Sequence, residues 1–212
     1  MRKINKREAI DVFTDFVKRH PMAVWKDFVT QENDDSLKTR YHILTEEQNY
    51  QCGYTELLLE LDDSHIDHYI KRDIEADRTF DWNNLIVAFG NSNSSVNPDF
   101  GAHYKDNSYK IKQHEYTEIF NPVEDDVQSY FYYNSFGKIE PLGTIEDERI
   151  KLKVLKTLEV FNLEHPSLVN RRKERINTIK SYEQGGTDYE DIKVYLTDMG
   201  FRSLVEQYCK ET

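Results

Sequence analysis

The sequence has little of several features that define common classes of protein. Its two cysteines, Cys52 and Cys209, are too few for a disulfide framework, so the composition indicates a reducing compartment. No apolar run approaches the ~20 residues that a transmembrane helix needs. The first residues, Met1 to Lys6, lack the apolar centre of a signal peptide. We therefore expect a cytoplasmic protein that does not enter a membrane.

An excess of basic residues is also missing. The chain has 28 Lys and Arg against 39 Asp and Glu, which gives a formal net charge of -11. A protein that binds nucleic acid alone usually has a basic surface, because neutralising phosphates supplies most of the non-specific affinity. If nucleic acid is the target, either a local basic patch suffices or a partner protein brings the substrate. Many globular proteins are equally acidic, so the charge alone assigns no function.

Aromatic residues, by contrast, are abundant, with 14 Tyr, 11 Phe and 2 Trp in 212 residues. Hydrophobic residues make up 38% and charged residues 32%, which is polar but globular. The pattern of elements predicts an α+β protein, mostly helical, that forms one compact unit. Within it we expect an amino-terminal helical segment (1–50), a central segment with a hairpin (51–143) and a carboxy-terminal helical segment (144–212).

The order of elements in the first half follows from apolar spacing and turn residues. Ile10, Phe13 and Phe16 recur at helical spacing, which predicts a helix from Lys6 to Arg19 ended by Pro21. The other predictions are a helix at 36–50 with Leu37, Tyr41, Leu44 and Gln48 on one face, a turn at 52–55, a strand at 64–69, a buried segment at 81–89, a loop at 90–99 and a short helix at 98–107.

The second half is predicted to be helical after one hairpin. Residues 130–133 and 138–139 flank the turn sequence Asn134-Ser135-Phe136-Gly137, which predicts a β-hairpin. Three helices should follow: one capped by Thr144 with Ile150, Val154, Leu155, Leu158 and Phe161 on its apolar face, one that starts at Pro166, continues through Val169, Arg172, Ile176 and Ile179 and is ended by Gly185 and Gly186, and one capped at 187–190 and closed by Gly200.

The tetrapeptide His65-Ile66-Asp67-His68, followed sixteen positions later by Asn84, has the residue types that phosphodiester hydrolysis requires. An Asp suits a hard divalent ion, and a neutral His can accept a proton from water near pH 7. An Asn can fix the loop that carries the base. Spacing alone does not decide between such a site and ordinary structural histidines, and the latter are more common.

Longer segments around this motif resemble one known family. They are 65–72, 80–85, 100–107, 119–122, 131–133, 137–139, 158–163 and 168–172, which together cover most of the chain between Gln48 and Ile179. In order and composition they resemble the HNH nucleases of retron and Septu anti-phage systems, the PtuB-like proteins. The resemblance implies a small ββα-metal (HNH) core within the mostly helical chain. It also implies a metal-dependent endonuclease, a hydrolase that serves as the effector of an antiviral defence system.

The resemblance also assigns roles by position. Asp67 is expected to ligate the metal, His68 to act as general base, and Asn84 to be the Asn of the HNH pattern. The second metal ligand is expected at Asn93 or His103, with Asp106 as a further candidate and His65 joining or supporting the site. The implied metal is Mg²⁺, with Mn²⁺ as the alternative. The implied partners are a nucleic-acid substrate, a PtuA-type ATPase, and a retron reverse transcriptase with its RNA and DNA.

The sequence departs from this family where many relatives carry two Cys-x-x-Cys pairs that bind a structural zinc. Here Cys52 is followed by Thr55, and Phe89 and Ser92 occupy the later positions. One cysteine cannot build a four-ligand zinc site. We therefore expect no structural zinc, with Phe89 contributing to core packing instead.

Other residues have a functional and a structural interpretation. Lys71, Arg72 and Lys105, with Lys110 and Lys112, bracket the motif and are the best candidates to steer a nucleic-acid backbone. The charged run at 171–175 is expected to be a solvated helix face, and the aromatic run at 130–133 a core hairpin.

Two different functions remain as alternatives. The first is a catalytically weak HNH fold that serves as an interaction subunit, for which the acidic charge and the helical carboxy-terminal half are suitable. The second is a metallo-β-lactamase-like hydrolase, whose His-x-His-x-Asp-His motif the segment ending at His68 partly matches. That match lacks its first His, since Asp63 stands there, and its further ligands would have to come from His114 and His165.

Overall fold

The α+β class predicted from the sequence is confirmed by a computed structural model, which describes residues 1–31, 33–91 and 98–210. The structure is 51% helical and contains two small antiparallel sheets of two strands each. None of the described helices is long and apolar enough to cross a membrane.

Short helices form the amino-terminal segment: α1 (Asp11–Arg19), α2 (Trp25–Gln31) and α3 (Asn33–His42). The predicted start of α1 at Lys6 is wrong. Residues before Asp11 instead run along the body of the protein, where the Ile4 amide donates to the Pro122 carbonyl at 2.7 Å and the Arg7 amide to Glu47 at 2.9 Å. These long-range hydrogen bonds replace the ones that an extra helical turn would have made.

The predicted helix at 36–50 is also wrong in part. Helix α3 ends at His42 and continues as a single π-helical turn, Ile43–Glu47. Asn49 and Tyr50 then adopt positive φ angles of 50° and 58°, which end any helix. The four residues expected on one buried face do not lie together, since Leu37 and Tyr41 are exposed whereas Leu44 and Gln48 are buried.

The central segment begins with the predicted turn at 52–55 and leads into strand β1 (Ser64–His68). Strand β1 pairs antiparallel with β2 (Leu85–Phe89), so that Asp67 faces Ile86 and His68 faces Leu85. A short helix, α4 (Gly101–His103), follows and continues as a π-helical stretch, Tyr104–Tyr109. The predicted order of strand, strand and helix is therefore confirmed, and most of the predicted loop at 90–99 lies outside the described residues.

A second sheet is the predicted hairpin of β3 (Phe131–Tyr133) and β4 (Ile139–Pro141). Its turn ends at Gly137, whose φ is +81° and whose added Cβ would lie 2.4 Å from the Val169 carbonyl oxygen. The turn thus packs directly on the backbone of a later helix, a contact that only glycine allows here.

The carboxy-terminal helices are α5 (Glu148–Val160), α6 (Pro166–Gln184), α7 (Tyr189–Leu196) and α8 (Arg202–Tyr208). Thr144 was predicted to cap α5, but Asp147 does so by accepting from the Arg149 amide at 2.9 Å. Leu155 is half-exposed, so the inward face predicted for α5 is shifted toward Val154, Thr157 and Leu158. Helix α6 starts at Pro166 and ends before Gly185 as predicted.

Hydrogen bonds and a ring contact join the central segment to the carboxy-terminal one. The Gly101 amide donates to the Phe161 carbonyl, and the Phe201 amide to the Glu56 carbonyl, each at 2.7 Å. The ring of Tyr54 stacks on that of Phe161, with centroids 4.5 Å apart. The carboxy-terminal helices thus support the short sheet on which the motif lies.

Candidate active site

The end of strand β1 is fixed by Asn84. This side chain is buried, accepts from the Ile70 amide at 2.8 Å, and donates to the carbonyls of Ile70 and Arg78 at 3.0 and 3.2 Å. It therefore fastens the chain just after Asp67 and His68 to the loop that leads into β2. Asn84 is a positioning residue, since its polar atoms are used within the loop.

His68 is held as a neutral imidazole with a defined tautomer. Its Nε2 contacts the Thr79 carbonyl oxygen at 2.9 Å, and because a carbonyl only accepts, the proton resides on Nε2 and Nδ1 keeps a lone pair. Trp25 packs edge-on against the ring at 4.6 Å between centroids. Burial lowers the pKa of His68 to about 4, so the ring is neutral at pH 7.

Asp67 is a buried carboxylate with one oxygen already engaged. Its Oδ2 accepts from the Tyr54 hydroxyl at 2.5 Å and lies 3.2 Å from Lys105 Nζ. Burial favours the protonated acid, but Lys105, His65, the Tyr54 hydroxyl and His68 together outweigh it and keep the pKa of Asp67 below its ordinary value. Both contacts fall on Oδ2, so Oδ1 is the atom that is left for a further ligand.

Lys105 is fully buried beneath the site. Its ammonium donates to the carbonyls of His68 and Tyr69 at 3.0 and 2.9 Å and lies 3.2 Å from Asp106 Oδ1. This corrects the expectation that Lys105 steers a nucleic-acid backbone, because its charge is used inside the protein. Burial raises the pKa of Asp106 to about 6 despite the neighbouring ammonium.

Two more histidines adjoin Asp67. His65 Nδ1 donates to the Gly90 carbonyl, which leaves its Nε2 as an acceptor, and the rings of His65 and His103 lie 4.6 Å apart between centroids. His103 Nε2 is buried without a hydrogen-bond partner among the described residues. Burial lowers the pKa of His103 and the His65 charge lowers it further, whereas the charge of Asp67 opposes this shift.

These atoms suit a divalent metal site to which the protein contributes few ligands. Asp67 offers a carboxylate oxygen and His103 an unused imidazole nitrogen, and a carbonyl-bound histidine such as His65 is typical of metal sites. In the described part of the chain no three His, Cys, Asp or Glu side chains are grouped to hold a metal ion. The fit is therefore to an ion that completes its shell with water and phosphate oxygens, as Mg²⁺ does. Asn93, the alternative second ligand, lies outside the described residues.

The cluster opens into a cavity of about 540 Å³ between the central sheet and the amino-terminal helices. Its walls include His65, Asp67, His68, His103 and Asp106. Of the residues expected to steer nucleic acid, Lys71 and Arg72 also line it, and Arg72 is exposed. The cavity brings together all the described residues of the proposed metal and base sites except Asn84.

The residues that the alternative interpretations would require lie outside this cavity. His114 is exposed on a 3-10 turn, and His165 caps α6 by accepting from the Ser167 amide, so neither lines the cavity. Arg172 does not belong to a solvated face, because it is buried and donates to the carbonyls of Gly137 and Leu163. The Phe89 amide donates to Cys52 Sγ at 3.4 Å, and the Phe89 ring stacks on the Phe100 ring. Phe89 thus contributes to packing next to Cys52.

Several residues of the site carried no signal in the sequence. Tyr54 and Thr79 act through single hydrogen bonds to Asp67 and His68, and Trp25 through one ring contact. Gly90 gave a weak signal: its φ is +104°, and an added Cβ would lie 2.9 Å from the His103 ring. A glycine directly after a buried strand could have indicated such a close approach.

Comparison with known proteins supports the class of enzyme. No protein-family model matches the chain. An Escherichia coli protein named "Retron Ec83 putative HNH endonuclease" is 24% identical to it, over 82% of this chain and 78% of the relative. This distant similarity, over most of both chains, supports a nuclease function.

Proposed function

We propose that this protein is a metal-dependent HNH endonuclease that hydrolyses nucleic-acid phosphodiester bonds. The observation that carries the proposal is the arrangement at the end of β1. There a neutral His68, whose Nε2 is held by the Thr79 carbonyl, adjoins the buried carboxylate of Asp67 in one cavity. A base and an anionic ligand on neighbouring residues are what this reaction requires.

His68 performs the proton transfer in this mechanism. Its Nδ1 accepts a proton from the attacking water, and the positive charge that develops on the ring is stabilised by the Thr79 carbonyl and by nearby Asp67. Trp25 and Asn84 keep the ring and its loop in place during this step.

Asp67 and His103 would hold the metal, with Asn93 as the alternative second ligand and His65 in support. When bound, Mg²⁺ or Mn²⁺ supplies charge neutralisation on the phosphate and on the leaving 3′ oxygen. Tyr54 and Lys105 orient the Asp67 carboxylate for this role by fixing Oδ2. We propose that no structural zinc is present, because Phe89 and Cys52 pack where a zinc cluster would need further thiolates.

We infer that the enzyme acts in the cytoplasm as the effector of an anti-phage defence system. The retron named in its E. coli relative supports this setting, and a retron reverse transcriptase with its RNA and DNA is the corresponding partner. A PtuA-type ATPase is proposed as a second partner on the resemblance of the segments to PtuB-like proteins. The formal net charge of -11 suits a chain that receives its substrate through partners.

The test is a cleavage assay of the purified full chain on single-stranded DNA, duplex DNA and RNA, with Mg²⁺ or Mn²⁺ and with EDTA. His68→Ala should reduce cleavage by at least about 100-fold, the usual contribution of a general base. His114→Ala is the matched control, since His114 is exposed and outside the cavity, and it should cleave like the wild type.

Equal cleavage by the wild type and His68→Ala would exclude this mechanism. If neither protein cleaves, and His68→Ala still protects cells against phage, the chain is the interaction subunit rather than the nuclease. Metal analysis of the purified protein tests the zinc proposal separately, because one tightly bound zinc per chain would contradict it.

A further inference from the structure

Helices α2 and α3 form one wall of the cavity, although they precede the strand–strand–helix unit in sequence. Trp25 in α2 contacts His68, and Arg40 in α3 donates from Nη1 to the Ser64 carbonyl at the start of β1. The two contacts lie at opposite ends of β1, about 13 Å apart for four residue steps of a strand. The helices therefore run beside the whole strand that carries the candidate site.

Arg40 is a cation of this wall whose Nε donor is unused. Its Nε is buried and has no hydrogen-bond acceptor within the described part of the chain, although the side chain lines the cavity. An unpartnered guanidinium N–H is costly, and since the Arg40 side chain as a whole is only partly buried, a small reorientation of it would let this N–H donate to a ligand in the cavity. A phosphate oxygen matches the fork of an arginine best.

The charge of the cavity also favours a phosphate ligand. Four basic and four acidic residues line it, so that it is close to neutral in a chain of formal net charge -11. The two acids nearest the candidate site, Asp67 and Asp106, are also paired with Lys105 behind the wall. Repulsion of an anionic strand is therefore reduced at this one place.

We propose that Arg40 binds a backbone phosphate of a single nucleic-acid strand lying along β1, away from the bond that His68 attacks. This role of Arg40 rests on the proposed nuclease function and adds that the substrate is bound as a single strand. A cavity of about 540 Å³ with walls on both sides has the size of a small-ligand pocket, and it admits about one or two nucleotides of a strand rather than the face of a duplex.

The test measures binding of fluorescent single-stranded DNA and RNA oligonucleotides in the His68→Ala background, with unlabelled duplex as competitor. Adding Arg40→Met should weaken single-strand binding by about tenfold or more. It should also reduce the slope of log affinity against log salt by about 0.7 to 1, the loss of one phosphate contact. Arg40→Lys keeps the charge and should retain most of the slope.

Lys38→Met is the matched control, because Lys38 lies on the same helix, is exposed and does not line the cavity. It should leave the affinity and the slope unchanged. An unchanged slope in Arg40→Met, or equal loss in Arg40→Lys and Arg40→Met, would mean that Arg40 only ties α3 to β1. Duplex competing as strongly as single strands would overturn the single-strand assignment.

The two proposals can fail separately. If the wild type cleaves nucleic acid and Arg40→Met retains the full salt slope, the role of Arg40 is wrong and the nuclease stands. If no cleavage occurs but Arg40→Met still loses the slope, the phosphate contact stands and the hydrolysis is wrong. Absence of any strand binding by the His68→Ala protein would overturn the phosphate contact itself.

Discussion

At the residue scale, the site depends on keeping His68 neutral while Asp67 stays ionised. Both side chains are buried, and burial opposes the charged form of each. Burial lowers the pKa of His68 to about 4, which keeps the imidazole neutral, whereas Lys105 at 3.2 Å and the other neighbouring donors and cations keep the pKa of Asp67 below its ordinary value, which keeps the carboxylate ionised. The pair is therefore a base next to an anion over the whole physiological pH range.

The first prediction concerns the pH dependence of kcat/KM. The base must be unprotonated, and since burial lowers the pKa of His68 to about 4, its protonation should not reduce the rate above about pH 5. Asp106, with its pKa raised to about 6, can add an inflection there. Profiles of the wild type and Asp106→Asn should separate the two groups. An acid limb near pH 6.5 that persists in Asp106→Asn would contradict this assignment.

The second prediction concerns the stability that Lys105 provides. Lys105→Met leaves the buried Asp67 and the partly exposed Asp106 without their cation, which should lower the free energy of unfolding by about 3–5 kcal/mol. Urea denaturation at pH 7 measures it. The matched control is Lys110→Met, an exposed position five residues later, which should change stability by less than about 0.5 kcal/mol. Equal midpoints for the two variants would show that the buried contacts are not formed.

At the element scale, the hairpin of β3 and β4 is attached to α6 through its turn. The third prediction is that Gly137→Ala lowers the free energy of unfolding by more than about 1 kcal/mol, because φ is +81° and the new Cβ would lie 2.4 Å from the Val169 carbonyl oxygen. Gly143→Ala is the control, since nothing lies within 4 Å of its added Cβ. Urea denaturation of both variants measures the difference. A similar loss of stability in Gly137→Ala and Gly143→Ala would argue against the contact between the turn and α6.

The elements also show what the sequence could predict. Strand β1, its partner β2 and the short helix were predictable because a buried apolar run and turn residues are local signals. Helix α6 was predictable from Pro166, from the apolar spacing of Ile176 and Ile179 and from Gly185, whereas the burial of Arg172 was not, because a charged run normally lies on a solvated face. The early end of α3 was not, because neither the π-helical turn that follows His42 nor the positive φ angle at Tyr50 is indicated by the residue types.

The same distinction applies to the candidate site. Asp67, His68, Asn84 and His103 carry their chemistry in their residue types, so the motif and the family resemblance pointed to them. Lys105 was misjudged because a lysine is normally exposed, and only the fold shows two carboxylates and two carbonyls around it. Arg40 and Trp25 were missed because two helices outside the motif, α3 and α2, bring them to β1.

At the scale of the whole molecule, the three segments predicted from the sequence are joined by contacts that span the chain. Gln51 Nε2 donates to the Thr197 carbonyl at 2.9 Å, and the Gln207 side chain pairs with both backbone groups of Tyr133 at 2.8 and 3.0 Å. Gln207 lies in α8, and the Ser203 amide of the same helix donates to the Glu56 carboxylate at 2.8 Å, so α8 touches both the hairpin and the residues that precede β1. Disrupting the packing of α8 should therefore disturb the candidate site.

The fourth prediction is that the chain unfolds in one cooperative transition. Both tryptophans, Trp25 and Trp82, lie in the amino-terminal and central segments, whereas the longest helices lie in the carboxy-terminal one. Tryptophan fluorescence and far-UV circular dichroism should thus report different parts of the molecule, yet give coincident urea transitions. Leu204→Ala, which truncates a fully buried side chain of α8, should lower the free energy of unfolding by about 2–5 kcal/mol. Both transitions should therefore move together to lower urea concentration. Leu152→Ala at an exposed position of α5 should shift neither, and separated transitions in Leu204→Ala would mean that the segments fold independently.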